Sequence, residues 1–242
     1  MRTDLLDDTE RRKLARLVRS EDRERYVTAH ALVRLLLSAR TGVPAATLQL
    51  DRTCDRCGGG HGKPRLPGGA GAPCAPVAFN LAHAGNRIVA AVADGPGLDV
   101  GVDVERIPAP GAPVLDGSAA LLTDDEVAVY RRLSPARRGR ALAVWWTRKE
   151  AVLKATGDGL AVDPSTIEVT APHVAPALLR GPSGDDHHEP PERARPDAPG
   201  HRPPIALRDL DAGPGYVGSV AVLGATSLEV TEHDAGPLLR AS

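Results

Sequence analysis

Two acidic side chains, Asp103 and Glu105, stand two residues apart in the segment Leu98-Asp-Val-Gly-Val-Asp-Val-Glu105. On a strand such positions point the same way, about 7 Å apart. A pair so placed can share a hard cation and leave room for phosphate oxygens and water. The plainer reading is a wet strand face. Gly101, on the same face, lets a partner approach closely. A second pair, Glu150 and Lys154, lies one helical turn apart in Trp146-Thr-Arg-Lys-Glu-Ala-Val-Leu-Lys154. It reads either as an i,i+4 salt bridge or as a third metal ligand beside a phosphate contact, with Lys149 adding charge. Lys63, Pro64 and Arg65 follow a glycine-rich turn, and His83 lies in Phe79-Asn-Leu-Ala-His-Ala84. Each could hold a phosphate group. Cys54-x-x-Cys57-x-x-x-His61 has the spacing of half a zinc site, and Cys74 is the remaining cysteine. Two reduced thiols in a loop is the preferred reading of Cys54 and Cys57.

Elements must position these groups. Apolar residues at three- and four-residue spacing predict a helix over 10–40, stopped by Gly42 and Pro44. Short strands are expected at 79–81 and 87–93. The alternation over 98–105 predicts a third, with Leu98, Val100, Val102 and Val104 on one face and the acidic residues on the other. A Pro/Gly-rich link runs from Pro108 to Gly117. Thr123 and Glu126 form a capping box, and residues 135–156 form the longest helix, ended by Gly157 and Gly159. Strands are expected near 166–170, 216–223 and 228–231. Segment 181–204 lacks apolar periodicity and is expected to be a mobile loop. Each half combines helix and strands, so the class is α+β.

Composition limits the rest. Hydrophobic residues make up 42% of 242 residues, but only six are aromatic, so Ala, Val and Leu must fill the core. The net charge of −1 favours neither nucleic acid nor an anionic membrane. Between Arg11 and Arg40, nine basic residues face three acidic ones, an asymmetry that suits either an anionic ligand or a solvated helix surface. The absence of a long apolar run argues against a membrane span, and the charged N-terminus against a signal peptide; the expectation is a cytoplasmic protein.

The order Gly62-Lys-Pro64, Phe79-Asn-Leu-Ala-His83, Gly101-Val-Asp-Val-Glu105 and Trp146-Thr-Arg-Lys-Glu-Ala-Val-Leu-Lys-Ala-Thr-Gly-Asp-Gly-Leu160 resembles the Sfp-type 4′-phosphopantetheinyl transferases. The resemblance runs from about Arg11 to Leu160. It implies a pseudodimer of two similar α+β half-domains, 1–106 and 111–242. It implies Mg²⁺ on Asp103, Glu105 and Glu150, bound to the pyrophosphate of coenzyme A. Lys149 and Lys154 would contact that pyrophosphate, with Lys154 serving the departing 3′,5′-ADP. Lys13, Arg25, Lys63, Pro64, Arg65 and His83 would hold the 3′-phosphate and adenine side. Glu150, or a water beside Glu105, would take the serine proton. The implied partners are coenzyme A and apo acyl, polyketide or peptidyl carrier proteins, served by a monomer. The family often has Ser-His-Ser where this chain has Ala82-His83-Ala84, so two hydroxyls are missing. Two other readings are a non-catalytic module that binds coenzyme A or a carrier, and a zinc-dependent nucleic-acid module around Cys54 and Cys57. The acidic and basic set, with no basic excess, argues for the enzyme.

Overall fold

A computed structural model describes residues 2–67, 76–109, 121–181 and 203–240. Cys74, most of the Pro108–Gly117 link and nearly all of segment 181–204 lie outside the described residues.

The expected helix over 10–40 is two helices. The first, α1 (Asp8–Arg16), starts with a capping box: Asp7 accepts the Glu10 N–H, and Glu10 accepts the Asp7 N–H. The chain leaves the helix at Leu17, which is extended. Arg23 donates to the Leu14 and Leu17 carbonyls there, satisfying acceptors that the break exposes. Val18, expected on the apolar face, is 95% exposed for this reason. The second, α2 (Ser20–Thr41), ends at Gly42 in the left-handed conformation.

Three strands follow. β1 (Val77–Ala84) and β2 (Arg87–Asp94) form an antiparallel hairpin on which α2 packs. β3 (Asp99–Arg106) packs beside β1, and the Asn80 side chain accepts the Val102 N–H. Its hydrogen-bonded partner lies in the second half of the chain. There α3 (Asp124–Arg132) opens on the expected Thr123–Glu126 capping box, and α4 (Pro135–Thr156) has the expected length. Two short strands, β4 (Glu168–Val169) and β5 (Leu178–Arg180), pair with each other. β6 (Ile205–Leu210) and β7 (Tyr216–Leu223) complete a three-stranded antiparallel sheet in the order β3-β7-β6, and α5 (Gly236–Arg240) follows. The expected strand at 228–231 is irregular backbone, whereas β6 was not expected.

The core follows the composition. Val100, Val102 and Val104 pack with Ala82, Val220 and Val222, while α4 contributes Trp145, Ala151, Val152, Leu153 and Ala155 to a second cluster. Both faces of β3 are therefore covered. The partner that Gly101 admits is α4 itself: a Cβ at Gly101 would sit 2.0 Å from the Ala151 carbonyl and 2.4 Å from the Ala155 nitrogen. Backbone cannot retreat as a side-chain tip can. Gly101→Ala is expected to cost about 1–3 kcal/mol or more by overpacking. Thermal melting checks this, and a variant with the parent's midpoint would contradict so close an approach.

Candidate functional site

The acidic face of β3 lies against α4, and Trp146, Glu150 and Lys154 recur at four-residue spacing along that side of the helix. Lys154 donates to Asp103 Oδ1 (2.6 Å) and to the Val102 carbonyl (3.2 Å). The other carboxylate oxygen, Asp103 Oδ2, is buried without a hydrogen-bond partner. Leaving a buried acceptor unpaired costs about 1–3 kcal/mol. Burial pushes the Asp103 carboxyl above its ordinary value despite Lys154. Burial also raises Glu105, and the Asp103 charge raises it further, while the Trp146 indole N–H donates to it and opposes the rise. Glu150 is raised by burial and by Asp103, against the pull of Lys154. Two carboxylates that each feel the charge of Asp103, with an orphaned oxygen on Asp103 itself, fit a hard divalent cation bound through oxygen, as Mg²⁺ is.

These carboxylates are gathered less tightly than another set. Among the described residues, the group of three metal-ligating side chains with all ligand atoms within 4.8 Å is Cys54, Cys57 and His61.

The cations expected around the cleft divide into two groups. His83 on β1 feels Arg25 and Lys154, which places these three in one electrostatic neighbourhood. Desolvation, then the Arg25 charge, hold its imidazole below the ordinary range. Arg25 donates to the Gly85 carbonyl (2.7 Å) and pairs with Asp22 (2.8 Å). Arg65 pairs with Asp55 (2.8 Å) and reaches to 3.6 Å of the Cβ position of Gly157, at the end of α4. Lys63 is mostly buried. It pairs with the Asp99 carboxylate and donates to the Val100 (2.8 Å) and Ala155 (3.4 Å) carbonyls. It thereby ties the loop containing the half-buried Pro64 to β3 and α4. Lys13 is exposed on α1, and among the described residues no hydrogen bond or ion pair joins it to the cleft.

Lys149 does not face the cleft. It is fully buried and donates to Glu126 (2.5 Å), the Leu121 carbonyl (2.7 Å) and the Pro164 carbonyl (3.0 Å). Burial lowers its pKa, and Glu126 draws it back up. One residue is a 100° step around a helix, so Lys149 and Glu150 serve different faces. Arg148 is buried too, forked onto Asp209 (3.0 and 2.6 Å) with further bonds to the Thr170, Ala171 and Val174 carbonyls. Thus Arg148 and Lys149 fasten α4, while Glu150 and Lys154 face β3. Sequence reasoning missed Trp146, Glu126, Asp99 and Asp209 as partners. The i−4 spacing of Trp146 from Glu150, and the place of Glu126 in a capping box, were the available signals.

Helix and sheet in both halves, with carboxylates and cations where α4 meets β3, define a two-half α+β protein suited to a metal-held phosphate ester. Residues 1–94 match the model of the 4′-phosphopantetheinyl transferase N-terminal domain, and residues 99–195 match the 4′-phosphopantetheinyl transferase superfamily. The chain belongs to that superfamily. A Synechocystis protein bearing a 4′-phosphopantetheinyl transferase name is 29% identical over 157 residues, 64% of this chain and 58% of the relative. The 4′-phosphopantetheinyl transferase HetI of Nostoc is 28% identical over 160 residues, 66% of this chain and 62% of the relative. The chain thus spans under two thirds of the length of these curated relatives. Among the described residues, no helix is long and apolar enough to cross a membrane.

Proposed function

We propose that this chain transfers the 4′-phosphopantetheine group of coenzyme A to a serine hydroxyl of an apo carrier protein, releasing 3′,5′-ADP. The observation that carries the reading is Asp103: one oxygen is paired with Lys154 and the other is buried without a partner, beside Glu105 and Glu150. Asp103, Glu105 and Glu150 would hold Mg²⁺, which when bound supplies Lewis-acid neutralisation of pyrophosphate charge. Lys154, already directed at Asp103, adds fixed positive charge for the departing phosphate. Arg25 and His83 would hold the 3′-phosphate. His83 is biased toward neutrality, and an arriving phosphate favours its protonated, donating form. Ala82 and Ala84 flank it, so neither adjacent position supplies a hydroxyl. Lys63 positions the loop through Asp99, leaving Arg65 nearer the end of α4. Glu150, or a water beside Glu105, accepts the serine proton; the raised pKa of either carboxyl suits a general base.

The carriers proposed are acyl, polyketide or peptidyl carrier proteins, modified by a cytoplasmic monomer in fatty-acid or secondary-metabolite synthesis. Incubation with coenzyme A, Mg²⁺ and a panel of apo carriers tests the activity. A mass gain of one phosphopantetheine on the carrier serine is expected by intact mass. No gain on any carrier, or an equal gain on a carrier whose serine is replaced by alanine, would overturn the reading.

A further inference from the structure

We infer that Cys54, Cys57 and His61 bind a zinc ion that staples the loop carrying Lys63 and Arg65. Their three ligand atoms lie within 4.8 Å of one another. Cys57 Sγ and His61 Nε2 are 3.1 Å apart. Zn–S and Zn–N bonds of about 2.3 and 2.0 Å place sulfur and nitrogen about 3.5 Å apart across a tetrahedron. For this pair an adjustment of a few tenths of an ångström admits the ion, and the Cys54 sulfur lies within 4.8 Å of both. Two thiolates and an imidazole favour zinc over magnesium or calcium, which prefer oxygen. Water can complete the coordination.

The backbone is shaped for thiolates. Gly58 takes a left-handed conformation, letting the chain fold back so that Cys54 N–H meets the Gly59 carbonyl (2.7 Å) and Gly58 N–H the Cys54 carbonyl (2.8 Å). Gly59 N–H points to Cys57 Sγ (3.4 Å). An amide aimed at sulfur stabilises negative charge, which a metal ligand must carry and a neutral loop thiol does not need.

The segment has polar ties at its two ends, through Arg52 and Lys63, but no buried apolar residue between them. No residue from Asp51 to Leu66 is fully buried, so 53–61 turns sharply without an apolar core. Short segments of that kind are commonly held by a metal or a disulfide. Gly62 passes so close beneath Thr53 that a Cβ would lie 2.4 Å from the Thr53 carbonyl oxygen. From this knot, Arg56 reaches Asp158 (3.4 Å), and Lys63 reaches the Ala155 carbonyl. A metal here would hold the loop against the end of α4, next to the turn that carries Lys154.

Zinc content of the full chain, purified under reducing conditions after zinc-supplemented growth, tests this independently of any transfer activity. About one ion per chain is expected, falling to near zero in Cys57→Ser and in His61→Ala. Both side chains are exposed, so these variants should fold. Cobalt substitution should give a thiolate charge-transfer band in the near ultraviolet that both variants lose. A parent chain with no retained zinc, equal zinc in the variants, or cobalt binding without the thiolate band would each overturn the site.

Discussion

Glu150→Gln is expected to lower carrier modification by about 10²–10³-fold, the scale of losing one preorganised charge at a phosphoryl centre. The same change should raise the melting temperature of the metal-free protein. The two effects share one cause. Burial pushes Glu150 up, and Asp103 pushes it further, so the ionised carboxylate is a cost to the fold. An amide of the same shape removes that charge and, with it, a metal ligand. The sign in pH follows. For an acid whose folded pKa is raised, stability falls as pH climbs from the ordinary value through the raised one. Asp103, Glu105 and Glu150 all have this sign, so the penalty on the metal-free chain grows as pH rises above the ordinary carboxylate range. Mg²⁺ should offset it by mass action, up to about 2.7 kcal/mol at a hundredfold excess over Kd, and should do so less at acid pH, where protons compete. Asp103→Asn should lose transfer too, but without the gain in stability, because Lys154 loses its partner. Initial rates by intact mass, with melts run with and without Mg²⁺, check both arms. Near-parent turnover by both variants at limiting Mg²⁺ would sink the metal assignment.

The site was more legible than its supports. Strict alternation over 98–105 gave the strand and its acidic face, because a period of two admits one arrangement once valines must be buried. It did not reveal that the acidic face is roofed by α4. That depends on a long-range approach of Gly101 to Ala151 and Ala155. In Trp146–Lys154, charge alone suggested that Lys149 serves phosphate. A buried lysine and a phosphate-binding lysine look alike until the partner, Glu126, is seen twenty-three residues away in sequence. The single helix over 10–40 failed for a similar reason. Leu14, Leu17 and Val18 continue the apolar period, yet Arg23 takes the carbonyls of Leu14 and Leu17 and stabilises a break between two helices. The cysteines show the opposite case. Their spacing was visible, but only the fold of 54–61 shows that the sulfurs and the imidazole converge.

Arg34→Met is expected to destabilise the chain by about 3–5 kcal/mol, the cost of breaking one partner out of a buried charge cluster. Arg34 is fully buried in α2. It pairs with Asp7 (2.7 Å) and Glu10 (2.9 Å) and donates to the Ala45 and Leu48 carbonyls (3.2 and 3.0 Å). Arg52 bonds the same two carboxylates (2.9 and 2.8 Å), and His30 meets Glu10 (3.1 Å). Two acids and two arginines thus balance, and methionine would leave a buried excess of negative charge and two unpaired carbonyls. Burial alone would raise Glu10, but hydrogen bonds from His30, Arg34 and the Asp7 N–H bring it from its ordinary 4.5 down to about 2. A depressed acid stabilises fully above its unfolded value. That contribution is therefore present above about pH 4.5 and lost as pH falls toward 2, an interval worth about 3 kcal/mol. Removing Arg34 should shrink it, so parent and variant should converge in stability as the solution is acidified. Urea unfolding across that window reads the difference. The double variant Glu10→Gln, Arg34→Met should lose less than the sum of the single changes, because the opposed charges leave together. Arg52 adds a consequence at the cleft, since it stands two residues before Cys54 and anchors the loop that leads to Lys63 and Arg65. Loss of the cluster should therefore weaken coenzyme A binding even at temperatures where the variant stays folded. Parallel pH slopes for parent and Arg34→Met would show that Glu10 does not depend on this pair.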